Sequence, residues 1–275
     1  ALAPYLSEPQ RTQMIEEAMT RIWPLHHGWE IWTLPWLIPH LPEAQRSQVL
    51  SEVLAWLEEM DDDLSSSGLA VRFAPYLPES LRTEIVEAEL AFAGTIQTTF
   101  LPDEIPEMPG WDIAAGLIPA RQTSGDFYDV FRLPDERIGL ITADVVDKGI
   151  GAALFMALSV TVLRFGMSLD LPPHEVTRRA NELILSEQRS RMFATTFVGY
   201  VSLKSGDMEF SSGGHNPALI YRAASNTCEY VNASGVAVGI FKGAEFAPET
   251  VRLNVGDILV LYTDGITEVI NTDEE

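Results

Sequence analysis

The stretch that most constrains the fold is residues 138–153, IGLITADVVDKGIGAA, in which a short apolar run ends at Asp144. Apolar runs of this length, bounded by turn residues, predict buried β-strands. After Asp144, a turn through Asp147 and Gly149 leads into an apolar stretch with the pattern of a helix. The stretch therefore predicts a strand, a turn and a helix, with an aspartate where the strand ends. Taken alone, such an aspartate is more often a turn former or a helix cap than a ligand.

Two further segments repeat this placement of an aspartate beside a strand and a glycine. Asp126 lies in TSGDFYD next to Gly125, and Asp264 lies in LVLYTDG next to Gly265. Three carboxylates brought together repel one another unless one is protonated or a cation binds. An oxygen-only ligand set favours hard ions, so the pattern predicts Mg²⁺ or Mn²⁺.

Strand and helix patterns fill the rest of the C-terminal part. Two predicted helices, 150–166 and 172–190, lie between runs of predicted antiparallel strands, which favours an α+β fold. Strands are predicted at 111–117, 127–133, 138–143, 194–203, 208–212, 218–221, 228–231, 250–253 and 258–262. His215, in the turn GGHNP, is expected to brace its loop rather than to act as a general acid.

Five segments occur in the order SGDFYDVF, ADVVDKGIGAALFMALS, MFATTFVGYV, SSGGHNPALI and LVLYTDGITEVIN. Together they resemble the bacterial metal-dependent serine/threonine phosphatases of the PPM (PP2C-like) family, in the branch of stage II sporulation protein E and RsbU-type phosphatases. The resemblance runs from about Ile96 to the C-terminus, or about 180 of 275 residues. It implies a PPM-type β-sandwich flanked by helices on its outer faces.

The resemblance also implies a site and a reaction. Two Mn²⁺ or Mg²⁺ ions would be held by Asp126, Asp144, Asp264 and the backbone carbonyl of Val145. These ions would activate a water molecule for attack on phosphoserine or phosphothreonine, with no catalytic side chain. Arg121 would bind the substrate phosphate, although a plain surface arginine is an equal alternative. Supporting roles fall to Gly125, Asp129, Gly149 and Gly265.

The usual substrates of the resembled family are phosphorylated anti-sigma-factor antagonists in signalling or stress pathways. Family members normally supply a further metal-binding aspartate after the TDG strand, whereas this sequence ends at Glu275. The phosphatase domain is therefore expected to be C-terminally incomplete. The alternative function is a weak or inactive phosphatase-like scaffold that binds protein partners through its helical repeats.

Composition excludes several other classes. The formal net charge is −22, from 40 acidic and 18 basic residues, which argues against binding to nucleic acid or to anionic membranes. Cys228 is the only cysteine, so no intrachain disulfide forms, in keeping with a cytoplasmic protein. The apolar helix 152–167 is shorter than the roughly 20 residues that span a bilayer and contains Arg164, so no membrane span is expected.

The N-terminal third contains an internal repeat. Similar units start at Ala3, Ile38 and Ala74, that is 35 and 36 residues apart, with Arg11, Arg46 and Arg82 at matching places. Such a period predicts paired-helix repeats. We assign residues 1–78 to an all-α regulatory segment, 79–100 to a linker helix and 101–275 to the phosphatase domain. The resemblance implies that the linker helix can form a homodimer. Four tryptophans are expected to pack between helices: Trp23, Trp29, Trp32 and Trp36.

Overall fold

The structure is a computed structural model that describes residues 13–14, 17, 34–59, 71–187, 192–232 and 234–268. The chain divides into two compact units, residues 1–89 and 90–275. The boundary falls within the predicted linker helix, and the assignment of residues 79–100 as a linker stays a prediction. Arg11, the first three tryptophans and almost all of the first repeat lie outside the described residues.

Where the structure describes it, the first unit consists of helices and short 3₁₀ turns. The helices are α1 (Leu34–Leu37), α2 (Glu43–Glu59) and α3 (Glu79–Thr98), with 3₁₀ turns at Ile38–His40 and Ala74–Tyr76. Helices α2 and α3 each begin directly after a proline, Pro42 or Pro78, whose fixed φ suits the first turn of a helix. Helix α3 continues into the second unit.

The repeated arginines have one structural role in the two repeats that the structure describes. Arg46 Nη2 donates a hydrogen bond to the carbonyl oxygen of Leu41, and Arg82 Nη2 donates one to that of Leu77, both at 3.2 Å. Each arginine thus closes the turn between a 3₁₀ segment and the following helix. The expectation that Trp36 packs between helices is wrong, because its side chain is 72% exposed.

In its described residues, the second unit contains eight strands in two sheets and three helices, besides the end of α3. The strands are β1 (Phe127–Leu133), β2 (Arg137–Val145), β3 (Ala194–Ser202), β4 (Asp207–Gly213), β5 (Ala218–Arg222), β6 (Thr227–Val231), β7 (Glu249–Arg252) and β8 (Ile258–Val260). The helices are α4 (Ile150–Ser168), α5 (Pro173–Glu187) and α6 (Asp264–Thr267). One antiparallel sheet has the order β1-β2-β3-β4-β7 and the other the order β6-β5-β8.

Two hydrophobic cores lie on the two faces of the five-stranded sheet. Ile141, Ala143 and Val145 of β2 belong to the core shared with helices α4 and α5. Phe197 and Phe210 belong to the core shared with the three-stranded sheet. The architecture is therefore the predicted α+β sandwich, with helices on the outer face of the larger sheet.

Helix α4 is long and apolar enough to cross a membrane by length and composition alone. Half of it is buried within the fold, where Met156, Val160 and Leu163 pack against the larger sheet. This is the environment of a core helix, and the apolar composition of α4 follows from it.

One predicted strand is absent. Residues 112–119 form no strand, and Trp111 makes only an isolated bridge with Met108. The Trp111 indole donates a hydrogen bond to the Leu203 carbonyl at 3.1 Å and packs beside the sandwich core. The alternation from Trp111 therefore reflects contacts of a loop with the sheet rather than pairing with another strand.

Candidate functional site

Asp126 and Asp144 are brought together by the register of β1 and β2. Phe127 pairs with Ala143, so the next position places Asp126 opposite Asp144. Because Ala143 and Val145 face the helices, the alternation of the strand directs Asp144 to the face covered by the second sheet. The predicted aspartates of two motifs thus meet at one end of the sandwich.

The pKa of Asp144 reflects how close its carboxylate lies to that of Asp126. Burial is the main cause that raises the pKa of Asp144 to about 7, and a hydrogen bond with Asp126 and the charges of Asp126 and Asp264 contribute to the same rise. Lys148 is the cation that acts against this shift. Near neutral pH, Asp144 is therefore protonated in a large fraction of the molecules, whereas an ordinary aspartate is fully ionised.

Asp264 approaches from the other sheet, since it follows β8 and begins helix α6. Its carboxylate is exposed but lies near enough to affect Asp144. The preceding residue makes the direct link: Thr263 Oγ1 donates a hydrogen bond to Asp126 Oδ2 at 2.9 Å. Thr263 is not among the site residues predicted from the sequence. Its position directly before Asp264 in the TDG motif is the only sequence feature that could have indicated it.

Gly125 leaves room beside a backbone oxygen. The Val145 N–H donates to the Gly125 carbonyl at 3.3 Å, and a side chain at position 125 would come within 2.7 Å of the Val145 carbonyl oxygen. Only glycine permits this approach without displacing the carbonyl. The predicted Val145 ligand atom therefore lies against the Gly125–Asp126 segment.

Gln97 fixes the same segment from helix α3. Ser124 N–H donates to Gln97 Oε1 at 2.9 Å, and Gln97 Nε2 donates to the Ser124 carbonyl. Gln97 is buried, so its amide satisfies both backbone groups away from water. This role is not predictable from a sequence pattern, because it depends on a contact across 27 positions of the chain.

The remaining predicted residues occupy different positions. Asp129 is buried on the helix-facing side of β1 and is paired with Arg164, whose Nε donates to its Oδ2 at 2.6 Å. Arg121 is exposed and forms no ion pair with any described residue. Gly149 has φ 86° at the start of α4, a conformation that favours glycine, and Gly265 lies exposed in α6.

His215 lies beside this cluster in a buried position. Thr195 Oγ1 and His215 Nδ1 are 2.9 Å apart, and Thr195 pairs with Asp144 across β2 and β3. Burial lowers the pKa of His215 to about 4, against the opposing effects of the Tyr262 backbone and the Asp264 charge. The ring is therefore neutral at neutral pH.

The chemistry of this cluster fits a hard divalent cation. Its donors are carboxylate and carbonyl oxygens, and the raised pKa of Asp144 shows a shortage of positive charge that a cation would relieve. In the described residues, no three acidic, histidine or cysteine side chains are already arranged as a ligand set. The suitability of this cluster for a divalent cation thus rests on the Asp126–Asp144 pair and on the Val145 carbonyl oxygen, which the absence of a side chain at Gly125 leaves uncovered.

Residues 134–275, just over half of the chain, match the family model of stage II sporulation protein E (SpoIIE). The chain is 29% identical over 226 residues to Protein IcfG of Synechocystis, covering 72% of this chain and 36% of that protein. It is 31% identical over 183 residues to the phosphoserine phosphatase RsbU of Bacillus subtilis, covering 66% and 54%. The chain thus spans about half or less of the length of these relatives.

A solved structure supports the fold independently. The SiaA-PP2C domain of Pseudomonas aeruginosa matches with a TM-score of 0.55 at 17% identity, over 66% of this chain and 73% of that domain. At this identity the likeness concerns the fold alone.

Proposed function

Since this chain belongs to the stage II sporulation protein E family, in the PPM branch that includes the RsbU-type phosphatases, we propose that it is a metal-dependent protein phosphatase that hydrolyses phosphoserine or phosphothreonine. The observation that carries the proposal is the opposed pair Asp126 and Asp144, where burial and like charge raise the pKa of Asp144 to about 7. Such a pair is costly to keep unless it binds a cation.

Asp126, Asp144, Asp264 and the Val145 carbonyl are the residues that would hold two Mn²⁺ or Mg²⁺ ions. When bound, such ions act as Lewis acids that lower the pKa of water and polarise a phosphoryl group. Asp144 would have to be deprotonated to hold such an ion, because metal ligands bind in their deprotonated form. Thr263 keeps one oxygen of Asp126 engaged and so fixes the orientation of that carboxylate.

Arg121 is the residue that we propose for the substrate phosphate. Its guanidinium is exposed and has no carboxylate partner among the described residues, and a guanidinium pairs with phosphate through two parallel hydrogen bonds. We propose that the substrate is a phosphorylated protein of the anti-sigma-factor antagonist class, handled in the cytoplasm. A homodimer through the helix at 79–100 belongs to the same proposal.

An inactive scaffold is the second candidate function. The observation that favours it is the exposure of Asp264, together with the lack of a preassembled three-residue ligand set among the described residues. A scaffold function does not require two partly buried carboxylates that repel each other, as Asp126 and Asp144 do. We therefore favour the phosphatase over the scaffold.

The test is Mn²⁺-dependent hydrolysis of p-nitrophenyl phosphate and of a phosphoserine peptide by residues 1–275. Asp144→Asn should abolish the activity, whereas Asp147→Asn, a matched change in the same turn, should keep it. Asp147 has φ 79°, which asparagine tolerates, so the control preserves the backbone. Activity that persists in Asp144→Asn would refute the proposed site, and absence of activity in the wild-type chain would favour the scaffold.

A further inference from the structure

His215, in the turn Gly213–Pro217, is the one buried histidine in the described part of the chain. It lies next to Asp126, Asp144 and Asp264, which we call the acidic cluster. We propose that His215 is a positioning residue, which holds the segment carrying Asp264 against the strands that carry Asp126 and Asp144. The link to metal binding rests on the proposed function, but the structural claim does not.

One side of the ring is bound to the strand next to Asp144. Nδ1 of His215 lies 2.9 Å from Thr195 Oγ1, and Thr195 is the register partner of Asp144. In a neutral ring with Nδ1 as the acceptor, the hydroxyl of Thr195 is the donor, and the ring proton is on Nε2. This tautomer leaves a donor directed away from β3.

The other side of the ring faces the segment before Asp264. The Tyr262 backbone lies close enough to His215 to favour its charged form. Nε2 is buried and makes no hydrogen bond of normal geometry in the described residues, and the Tyr262 backbone is the uncharged polar group outside β3 and the turn that acts on the imidazole. The imidazole of His215 therefore lies between Thr195 of β3, to which Nδ1 is hydrogen-bonded, and the Tyr262 backbone.

This connection completes a ring of contacts around the acidic cluster. Asp126 lies opposite Asp144, Asp144 pairs with Thr195, and Thr195 contacts His215. The ring closes through Tyr262 to its neighbour Thr263, which donates to Asp126 at 2.9 Å. The three segments that carry Asp126, Asp144 and Asp264 thus meet at one place, although Asp264 itself is exposed.

The glycines of the turn explain how His215 reaches this position. A side chain at position 213 would come within 2.5 Å of Thr196 Oγ1, and Gly214 has φ 72°, which favours glycine. The His215 N–H donates to Ser212 Oγ at 3.1 Å and fixes the end of the turn. The turn therefore passes close against β3 and points the imidazole into the fold.

The test is amide hydrogen exchange on the full 275-residue chain without added metal. His215→Leu removes both contacts and should speed exchange in residues 258–268 by roughly fivefold or more, the effect of losing about one buried hydrogen bond. His215→Asn keeps an acceptor for Thr195 but cannot reach Tyr262, so it should give a similar change in 258–268. It also serves if the leucine variant does not fold.

His174→Leu is the matched control. His174 lies on α5, away from the acidic cluster, and its Nδ1 is also buried without a partner. It should leave exchange in 258–268 unchanged. Unchanged exchange in the His215 variants, or an equal increase throughout residues 90–275, would overturn the proposal.

Binding of Mn²⁺ alone, measured by calorimetry, separates this proposal from the proposed function. His215→Asn should weaken Mn²⁺ binding by roughly fivefold relative to the wild type, which corresponds to about one hydrogen bond. Full affinity in this variant would show that His215 does not position the ligands. If the wild-type chain binds no Mn²⁺, the proposed function fails, and the exchange experiment still decides the role of His215.

Discussion

Thr263 Oγ1 donates a hydrogen bond to Asp126 Oδ2 at 2.9 Å, across 137 positions of the chain. This bond joins the loop before β1 to the segment after β8, and therefore joins the two sheets at the end where the acidic residues meet. It makes Thr263 part of the arrangement that orients Asp126.

Thr263→Val should weaken Mn²⁺ binding by roughly fivefold, because hydrogen bonds to charged groups contribute on the order of 1–2 kcal/mol where water is partly excluded. Thr263→Ser keeps the hydroxyl and should remain close to the wild type. Thr161→Val is the control, since Thr161 is exposed on α4 and its hydroxyl donates to the Ala157 carbonyl in the same helix. Calorimetric titration with Mn²⁺ checks all three, and equal affinities would show that this bond does not matter.

The metal-free chain should lose stability as the pH rises from about 4 to about 7. Folded Asp144 keeps its proton up to a pKa of about 7, whereas the unfolded residue loses it near 3.8. The folded state therefore binds more protons in this window, and the free energy of unfolding falls as the pH rises. Because Asp144 is partly exposed, we expect an effect on the order of 2 kcal/mol.

Urea unfolding in EDTA at pH 4.5, 6 and 7.5 measures this slope. Asp144→Asn carries no titrating group at that position and should show a flatter dependence, while Asp147→Asn should follow the wild type. A wild-type slope as flat as that of Asp144→Asn would contradict the account of the acidic pair.

Arg164→Met should lower the free energy of unfolding by roughly 2–3 kcal/mol, because it leaves the Asp129 carboxylate buried without its partner. The Asp129 side chain is 2% exposed, whereas that of Arg164 is 47% exposed, so we expect a loss below the roughly 3–5 kcal/mol that fully buried pairs show. Lys204→Met breaks the exposed pair with Glu136 and should leave stability unchanged within error. Chemical denaturation compares the two, and equal effects would show that Asp129 is not held by Arg164.

Gln97→Leu should reduce stability by about 2 kcal/mol and should also weaken Mn²⁺ binding. The leucine leaves both backbone groups of Ser124 without their buried partners, next to Gly125 and Asp126. Thr98→Val, on the exposed side of the same helix, is the control. Thermal unfolding with and without Mn²⁺ distinguishes the effects. If the stabilisation by Mn²⁺ is unchanged in Gln97→Leu, Gln97 supports the fold but not the site.

The strands and helices of the second unit were predictable from the sequence because their patterns are strong. Strand β1 was predicted at its observed bounds, and helix α4 within two residues, since an apolar run or stripe ends at a clear turn in each case. The strand predicted at 111–117 is absent, because alternating apolar and polar residues indicate which side chains are buried but not whether another strand pairs with the segment.

The positioning residues were not predictable in the same way. Gln97, Thr263 and His215 act through partners that lie distant in the chain, and a hydrogen bond of this kind leaves no periodic signal in the sequence. Arg46 and Arg82 were recognised as equivalent positions, but their bonds to Leu41 and Leu77 became visible only with the turn geometry. The sequence therefore indicated the aspartates, and the fold showed what holds them.

The most direct measurement of the central claim is a calorimetric titration of residues 1–275 with Mn²⁺ at pH 7, in buffers of different ionisation enthalpy. With a pKa of about 7 for Asp144, we predict saturable binding that releases about half a proton from this group. Asp144→Asn should lose both the tight binding and the proton release, and Asp147→Asn should keep both. Binding of equal strength in Asp144→Asn, or no binding to the wild-type chain, would contradict the assignment of this cluster as the metal site.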